Sequence, residues 1–135
     1  MVKLNKVLID TNVLIYMYEN KKDIFDEVNI IIPDAEFFIL DKVFEELSKV
    51  LKNKPNKCRL IINYLKKLLD LNKFKILEVN SEIINKHPKF QKIDNLLIYF
   101  SNKYIIYTND KKLKDKIKKF RNRVLVLKNN GVLLS

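Results

Sequence analysis

Two short segments, one near each end of the chain, share a pattern of side chains. In residues 7–12 and 105–110 an apolar run is followed by a hydroxyl, an amide and a carboxylate, and then by a helix-forming stretch. A buried strand that leads into a helix in this way is typical of α/β proteins, in which sites form at the carboxyl ends of strands. Asp10 and Asp110 are therefore candidate metal ligands. Because Asp, Thr and Asn are also good N-caps, capping is the simpler interpretation of the Asp10 segment taken alone.

Hydrophobic periodicity between these segments predicts the rest of the fold. The strands are expected near residues 4–9, 36–40, 74–79, 104–107 and 124–127, with one or two helices in each connection. This order predicts an α/β fold in which a mainly parallel sheet of about five strands lies between helices. We expect a single domain over residues 1–135, with a short apolar tail after Gly131.

Composition limits the chemistry that this chain can carry out. Gly131 is the only glycine, which excludes a glycine-rich phosphate-binding loop. Cys58 is the only cysteine, which excludes an internal disulfide and a four-cysteine zinc site. The lone histidine, His87, precedes Pro88 and is interpreted as a surface loop residue. Catalysis would therefore depend on carboxylates, hydroxyls, lysines and a metal ion.

The charge of the chain points to a polyanionic partner. There are 27 basic and 16 acidic residues, a formal net charge of +11, and such a surface attracts RNA or DNA. The alternative is a lysine-rich composition inherited from an AT-rich genome. No apolar run approaches the ~20 residues that span a bilayer, and no signal-peptide core is seen. We expect a cytoplasmic location and no membrane contact.

Two further acids occupy positions that match Asp10 and Asp110. Glu46 lies at the edge of the apolar stripe of a predicted helix, and Asp94 lies in the first turn of another. Each has a structural alternative: Glu46 as a boundary residue paired with a lysine, and Asp94 as a favourable charge at a helix start. In a parallel sheet, however, all four acids would share one rim.

Clustered carboxylates at one rim favour a metal site. Their mutual repulsion raises their pKa values unless cations lie between them. Hard oxygen ligands select Mg²⁺ or Mn²⁺, which can activate a water and stabilise the leaving oxygen of a phosphodiester. The lysines that follow Asp110, which are Lys111, Lys112 and Lys114, would contact the nucleic-acid backbone. Together these features are typical of a metal-dependent nuclease.

The segments that carry these acids resemble the PIN domain family of ribonucleases. The matching segments are residues 7–12, 44–47, 94–98 and 105–110, so the resemblance covers nearly the whole chain. It implies a three-layer α/β/α sandwich and hydrolysis of single-stranded RNA by a metal-activated water. It also implies that Asn12 and Thr108 orient ligands or water. The implied ligands of Mg²⁺ or Mn²⁺ are Asp10, Glu46, Asp94 and Asp110.

The resemblance leaves two biological roles open. The chain is similar to the branch of the family that trims ribosomal RNA precursors in three places: residues 23–27, the strand that leads into residues 44–47, and residues 124–131. The VapC-type toxins of toxin–antitoxin pairs have the same active-site pattern. The expected partners are RNA, a ribosome-biogenesis factor or an antitoxin, and a second copy of the chain. From another class, a non-catalytic α/β RNA-binding module, whose acids are only caps and surface pairs, is the alternative.

Overall fold

A computed structural model describes residues 5–86, 92–120, 122–128 and 131–134. His87, which was interpreted as a surface loop residue, lies outside the described residues. The strands are β1 (Lys6–Ile9), β2 (Glu36–Leu40), β3 (Lys75–Leu77), β4 (Ile105–Tyr107), β5 (Val124–Lys128) and β6 (Gly131–Leu134). They form one sheet in the order β3-β2-β1-β4-β5-β6, parallel except for β6, which is antiparallel to β5. The predicted mainly parallel sheet is confirmed.

Seven helices connect these strands within the described residues. They are α1 (Thr11–Asn20), α2 (Ile24–Ile31), α3 (Val43–Val50), α4 (Pro55–Asp70), α5 (Ser81–Lys86), α6 (Ile93–Phe100) and α7 (Lys111–Lys119). α1 packs against α3 and α4, whereas α6 packs against α7. Because parallel crossovers are right-handed, these two groups cover opposite faces of the sheet. The result is the expected three-layer sandwich.

The strand order places a crevice at the centre of the sheet. From β1 the chain moves outward through β2 to β3, and it then returns to β4 on the other side of β1. This reversal is the topological switch point, where the carboxyl ends of neighbouring strands leave room for a ligand. β1 is fully buried at Val7, Leu8 and Ile9, since helices cover both of its faces. Asp10 and Thr108, which directly follow β1 and β4, therefore lie at the crevice.

Three details differ from the sequence-based expectations. The apolar tail is strand β6, because pairing with β5 satisfies its backbone groups. Helical periodicity in the sequence predicts that Val50 and Leu60 face the core, but each is 50% exposed. The position of Asp41 just before α3 predicts a helix cap, but its carboxylate instead accepts the backbone N–H of Val79 at 3.4 Å and so joins β2 to the segment after β3.

Within the described ranges, no helix combines the length and the hydropathy that a membrane span requires.

Candidate active site

Asp10 lies at the switch point with its side chain buried. The residue is 4% exposed, and its Oδ2 accepts a hydrogen bond from the Thr108 hydroxyl at 2.8 Å. It occupies the N-cap position of α1, yet its carboxylate makes no capping hydrogen bond. The capping interpretation of Asp10 therefore does not describe the side chain. The carboxylate is held by β4 across the crevice.

Burial makes the ionised form of Asp10 costly. Loss of solvation is the largest effect and raises the pKa of Asp10 from 3.8 to about 6, against the hydrogen bonds from Thr108 and the backbone of Thr11. The negative charges of Asp94 and Asp110 raise the pKa further. Such a perturbed carboxyl group in a crevice is a marker of a functional site.

Asp94 comes to this cluster from the first turn of α6. Its pKa is raised, chiefly by loss of solvation and then by the charge of Asp110, while Lys116 of α7 lowers it. α6 and α7 pack side by side, which brings Lys116 toward the acids. Lys116 was not among the residues predicted for the site. The signal was its spacing of one helical turn from Lys112, a weak signal in a helix with six lysines.

Asp110 contributes its charge to this cluster and also stabilises the start of α7. It is the N-cap of α7, and its Oδ1 accepts the backbone N–H groups of Lys112 at 2.9 Å and Leu113 at 3.3 Å. Its own backbone N–H donates to the Thr108 hydroxyl at 3.1 Å. Thr108 thus connects the two acids, because its hydroxyl donates to Asp10 and accepts from the backbone of Asp110.

Glu46, the fourth predicted ligand, lies on α3. It is half-buried in the first turn of this helix, whereas its neighbour Glu45 is exposed. The charges that raise the pKa values of Asp10 and Asp94 belong to aspartates, and Glu46 is not among them. Among the residues that the structure describes, no three His, Cys, Asp or Glu side chains converge on one ion-sized space. The structure thus couples three of the four predicted acids through their charges and leaves Glu46 outside that group.

A polar groove extends from Asp110 along α1. It has a volume of about 470 Å³, and we call it the amide groove. The predicted residue Asn12 is part of it, beside Asp110, and the three lysines expected to contact RNA begin at the same turn. The residues that line it are Asn12, Ile15, Tyr16, Glu19 and Asn20 of α1 and Asn109 and Asp110 of the β4–α7 turn.

Fold and site together define a parallel α/β sandwich with a carboxylate cluster at its switch point. Comparison with known families agrees, since residues 7–110 match the PIN domain. The chain belongs to the PIN domain family.

Two similar proteins give this assignment more detail. Ribonuclease VapC9 of Archaeoglobus fulgidus is 33% identical over 118 residues, which cover 86% of this chain and 78% of that protein. The solved structure of the PIN domain endonuclease Utp24 matches with a TM-score of 0.65 and 23% identity, over 96% of this chain and 90% of that one. At this identity the second likeness shows a shared fold.

Proposed function

We propose that this protein is a metal-dependent endoribonuclease that hydrolyses RNA phosphodiester bonds. The observation that carries the proposal is the buried Asp10, whose pKa is raised by burial and by the charges of Asp94 and Asp110 at the switch point. Membership of the PIN domain family and the similarity to a ribonuclease support the same activity. A cation bound among these acids would relieve their mutual repulsion, and this would explain why they lie close together.

The donor set suits a hard divalent cation. Asp10, Glu46, Asp94 and Asp110 are the proposed ligands, and their oxygens are the kind that Mg²⁺ and Mn²⁺ prefer. Mg²⁺ is usually held by one or two carboxylates and keeps several waters, so it needs no cage of three converging side chains. Bound there, the ion would supply an activated water and stabilise the leaving oxygen.

The remaining residues would position the acids and the RNA. The Thr108 hydroxyl, which donates to Asp10 Oδ2 at 2.8 Å, would fix the orientation of this carboxylate. Asn12 is exposed at the entrance and is suited to orient a water or a phosphate oxygen. Lys111 and Lys112 are exposed at the start of α7, next to Asp110, where they would contact the RNA backbone.

Incubation of the purified protein with single-stranded and structured RNA, in Mn²⁺, in Mg²⁺ or in EDTA, tests the proposal. We expect metal-dependent cleavage that falls at least about 100-fold in Asp94→Asn, since several kcal/mol of stabilisation come from the metal. Asp115→Asn is the matched control, because it removes the same charge from an exposed position on α7. Binding without cleavage, identical in Asp94→Asn and indifferent to EDTA, would instead identify an RNA-binding module.

The biological role has two candidates. The 33% identity to Ribonuclease VapC9 favours the toxin branch, in which an antitoxin would be the partner. The likeness to Utp24 does not discriminate, because it concerns the fold, so processing of ribosomal RNA rests on the sequence pattern of residues 23–27 and 124–131. Induced expression followed by mapping of new RNA 5′ ends separates the roles. Cuts in mature RNAs with growth arrest support a toxin, and cuts confined to ribosomal precursors support processing.

A homodimer is also expected from the family resemblance. Light scattering of the purified protein during gel filtration tests it, and a mass near the 16.2 kDa of one chain would contradict it.

A further inference from the structure

The amide groove is built from one continuous face of α1. Its residues on this helix are spaced at i, i+3, i+4, i+7 and i+8, which is the spacing of a single helical stripe. The stripe runs from Asn12 to Asn20, a length of about 12 Å at the rise of an α-helix. Because Asp110 lies on the other wall, one end of the groove reaches one of the proposed catalytic acids.

The side chains in the groove suit a flat, hydrogen-bonding ligand. Tyr16 offers a half-buried ring. Asn12 and Asn109 are exposed, and their side-chain amides make no hydrogen bond to another residue in the described part of the chain. Asn20 uses only its Nδ2, which donates to the carbonyl of Tyr16 at 2.9 Å. Free amides next to an aromatic ring are the groups that read unstacked bases in single-stranded RNA.

The charges in the groove disfavour a phosphate. No lysine or arginine is among the described residues that line it, and Glu19 and Asp110 bring negative charge. Glu19 already has a cation partner, because Lys57 Nζ lies 2.8 Å from its Oε1. The exposed lysines 111 and 112 lie beyond Asp110, outside the lining of the groove. Phosphates would therefore follow the lysines, while a neutral base would enter the groove.

Tyr16 is already partly covered by the protein, since its side chain is half-buried on α1. It interacts electrostatically with Tyr107 of β4, whose pKa is raised by burial and then by Glu27 and Tyr16. A half-buried side chain loses less conformational freedom than an exposed one when a base stacks on it.

We propose that the amide groove binds one unpaired nucleobase adjacent to the cleaved bond, with Tyr16 as the stacking platform and the asparagine amides as hydrogen-bond partners. This inference rests on the proposed nuclease function, since the groove matters because one end of it reaches one of the acids. The volume of about 470 Å³ is within the roughly 300–1,000 Å³ typical of sites for small organic ligands.

An abasic scan tests the proposal. Single-stranded RNA with a mapped cleavage site is prepared with one abasic nucleotide at each of about three positions on either side of the cut. We define the base effect at a position as the cleavage rate on intact RNA divided by the cleavage rate on RNA that is abasic at that position. We expect a base effect of roughly tenfold or more at one position in the wild type, the size of one stacked base.

Variants at two tyrosines of α1 assign that effect to the groove. We expect Tyr16→Phe to keep the base effect, because the ring remains, and Tyr16→Leu to reduce it toward one. Tyr18→Leu is the matched control: Tyr18 is also half-buried on α1, but it packs against Tyr64 at a ring distance of 5.7 Å and lines a different cavity. If Tyr16→Leu does not fold, Asn109→Ala on the opposite wall should reduce the same base effect.

The outcomes separate this inference from the nuclease proposal. Cleavage with no base effect at any position, an unchanged base effect in Tyr16→Leu, or an equal loss in Tyr18→Leu would overturn the base site while leaving the nuclease intact. If no cleavage occurs, the nuclease proposal fails, and the base effect is then measured as a ratio of Kd values in EDTA. A base effect on binding that Tyr16→Leu abolishes would still establish the base site.

Discussion

The turns that follow β1 and β4 each contain an aspartate, a threonine and an asparagine, but the order and the contacts of these residues differ between the two turns. Asp10 follows β1 directly, is almost completely buried and makes no capping hydrogen bond. Asp110 comes three residues after β4, is half-buried and caps α7 through two backbone N–H groups. Both are N-cap residues by position. The order of the residues in the turn, rather than their type, separates a buried acid from a capping acid.

The two threonines show the same contrast. The Thr108 hydroxyl comes first after β4 and makes two hydrogen bonds, one to Asp10 and one from the backbone of Asp110. The hydroxyl of Thr11 comes second after β1 and is buried without a hydrogen-bond partner among the described residues. The residue that directly follows a strand points into the crevice, so this position is the one that builds the site.

The largest effect is expected on the cleavage rate, when the carboxylates of Asp10 and Asp110 are removed one at a time. Asp10→Asn should lower the cleavage rate by about 1000-fold or more, because metal stabilisation is worth several kcal/mol. Asp110→Asn should lower the rate by about 10- to 100-fold, a smaller loss because its Oδ1 is already engaged in capping α7. Both rates are measured in single-turnover assays. A smaller loss in Asp10→Asn than in Asp110→Asn would contradict the different roles assigned to the two turns.

The raised pKa of Asp10 should appear as pH-dependent stability in EDTA. The folded protein holds a proton on Asp10 up to about pH 6, whereas the unfolded chain releases it near 3.8. Stability therefore falls as pH rises through this window, by up to about 3 kcal/mol at neutral pH.

Urea unfolding of the wild type and of Asp10→Asn measures this effect. The variant should be about equal to the wild type near pH 4 and more stable at pH 7, where the wild type has a buried charge. A difference in unfolding free energy that stays constant from pH 4 to pH 7 would rule out a perturbed Asp10. Addition of a divalent metal should reduce the difference in unfolding free energy between Asp10→Asn and the wild type at pH 7, because the metal stabilises the ionised form of Asp10.

The threonines supply a matched pair of substitutions. Thr108→Val should destabilise the protein by about 1–3 kcal/mol, because it leaves a buried acceptor and a backbone donor without their partner. It should also shift the pH range over which stability falls to higher pH. The reason is that the Thr108 hydrogen bond lowers the pKa of Asp10, and the variant lacks this bond. Thr11→Val should leave the free energy of unfolding unchanged or raise it, because the Thr11 hydroxyl is buried without a hydrogen-bond partner among the described residues. Equal effects of the two variants in urea unfolding would remove the distinction between the turns.

The smallest effect concerns the cap of α7. Asp110→Ala should cost about 1 kcal/mol, whereas Asp110→Ser should cost little because serine is a good N-cap. Thermal unfolding compares the two. Asp110→Ser should still lose cleavage activity, so this variant separates the cap from the carboxylate. Full activity in Asp110→Ser would leave capping as the only task of this residue.

Much of this molecule could be predicted from local sequence patterns. The five parallel strands and the helices between them follow from hydrophobic periodicity, and Asp23 caps α2 as its position before the helix indicates. The exposure of Val50 and Leu60 could not be predicted in this way. An apolar stripe shows which face of a helix packs inward, but it does not show where the element that packs against that face ends. Strand β6 was missed for a related reason: its partner, β5, decides whether an apolar tail pairs.

The sequence by itself determined which residue types are available to the candidate site: carboxylates and hydroxyls at the ends of strands, in a chain with one histidine, one cysteine and one glycine. The tertiary structure decided how they are used. Only the adjacency of β1 and β4 brings Thr108 to Asp10 across 98 positions of sequence. Only the packing of α6 on α7 sets Lys116 against Asp94, and only the closure of α1 against the β4–α7 turn forms the amide groove. Local patterns specify backbone conformation and burial, whereas charge coupling depends on distances in space that no local pattern contains.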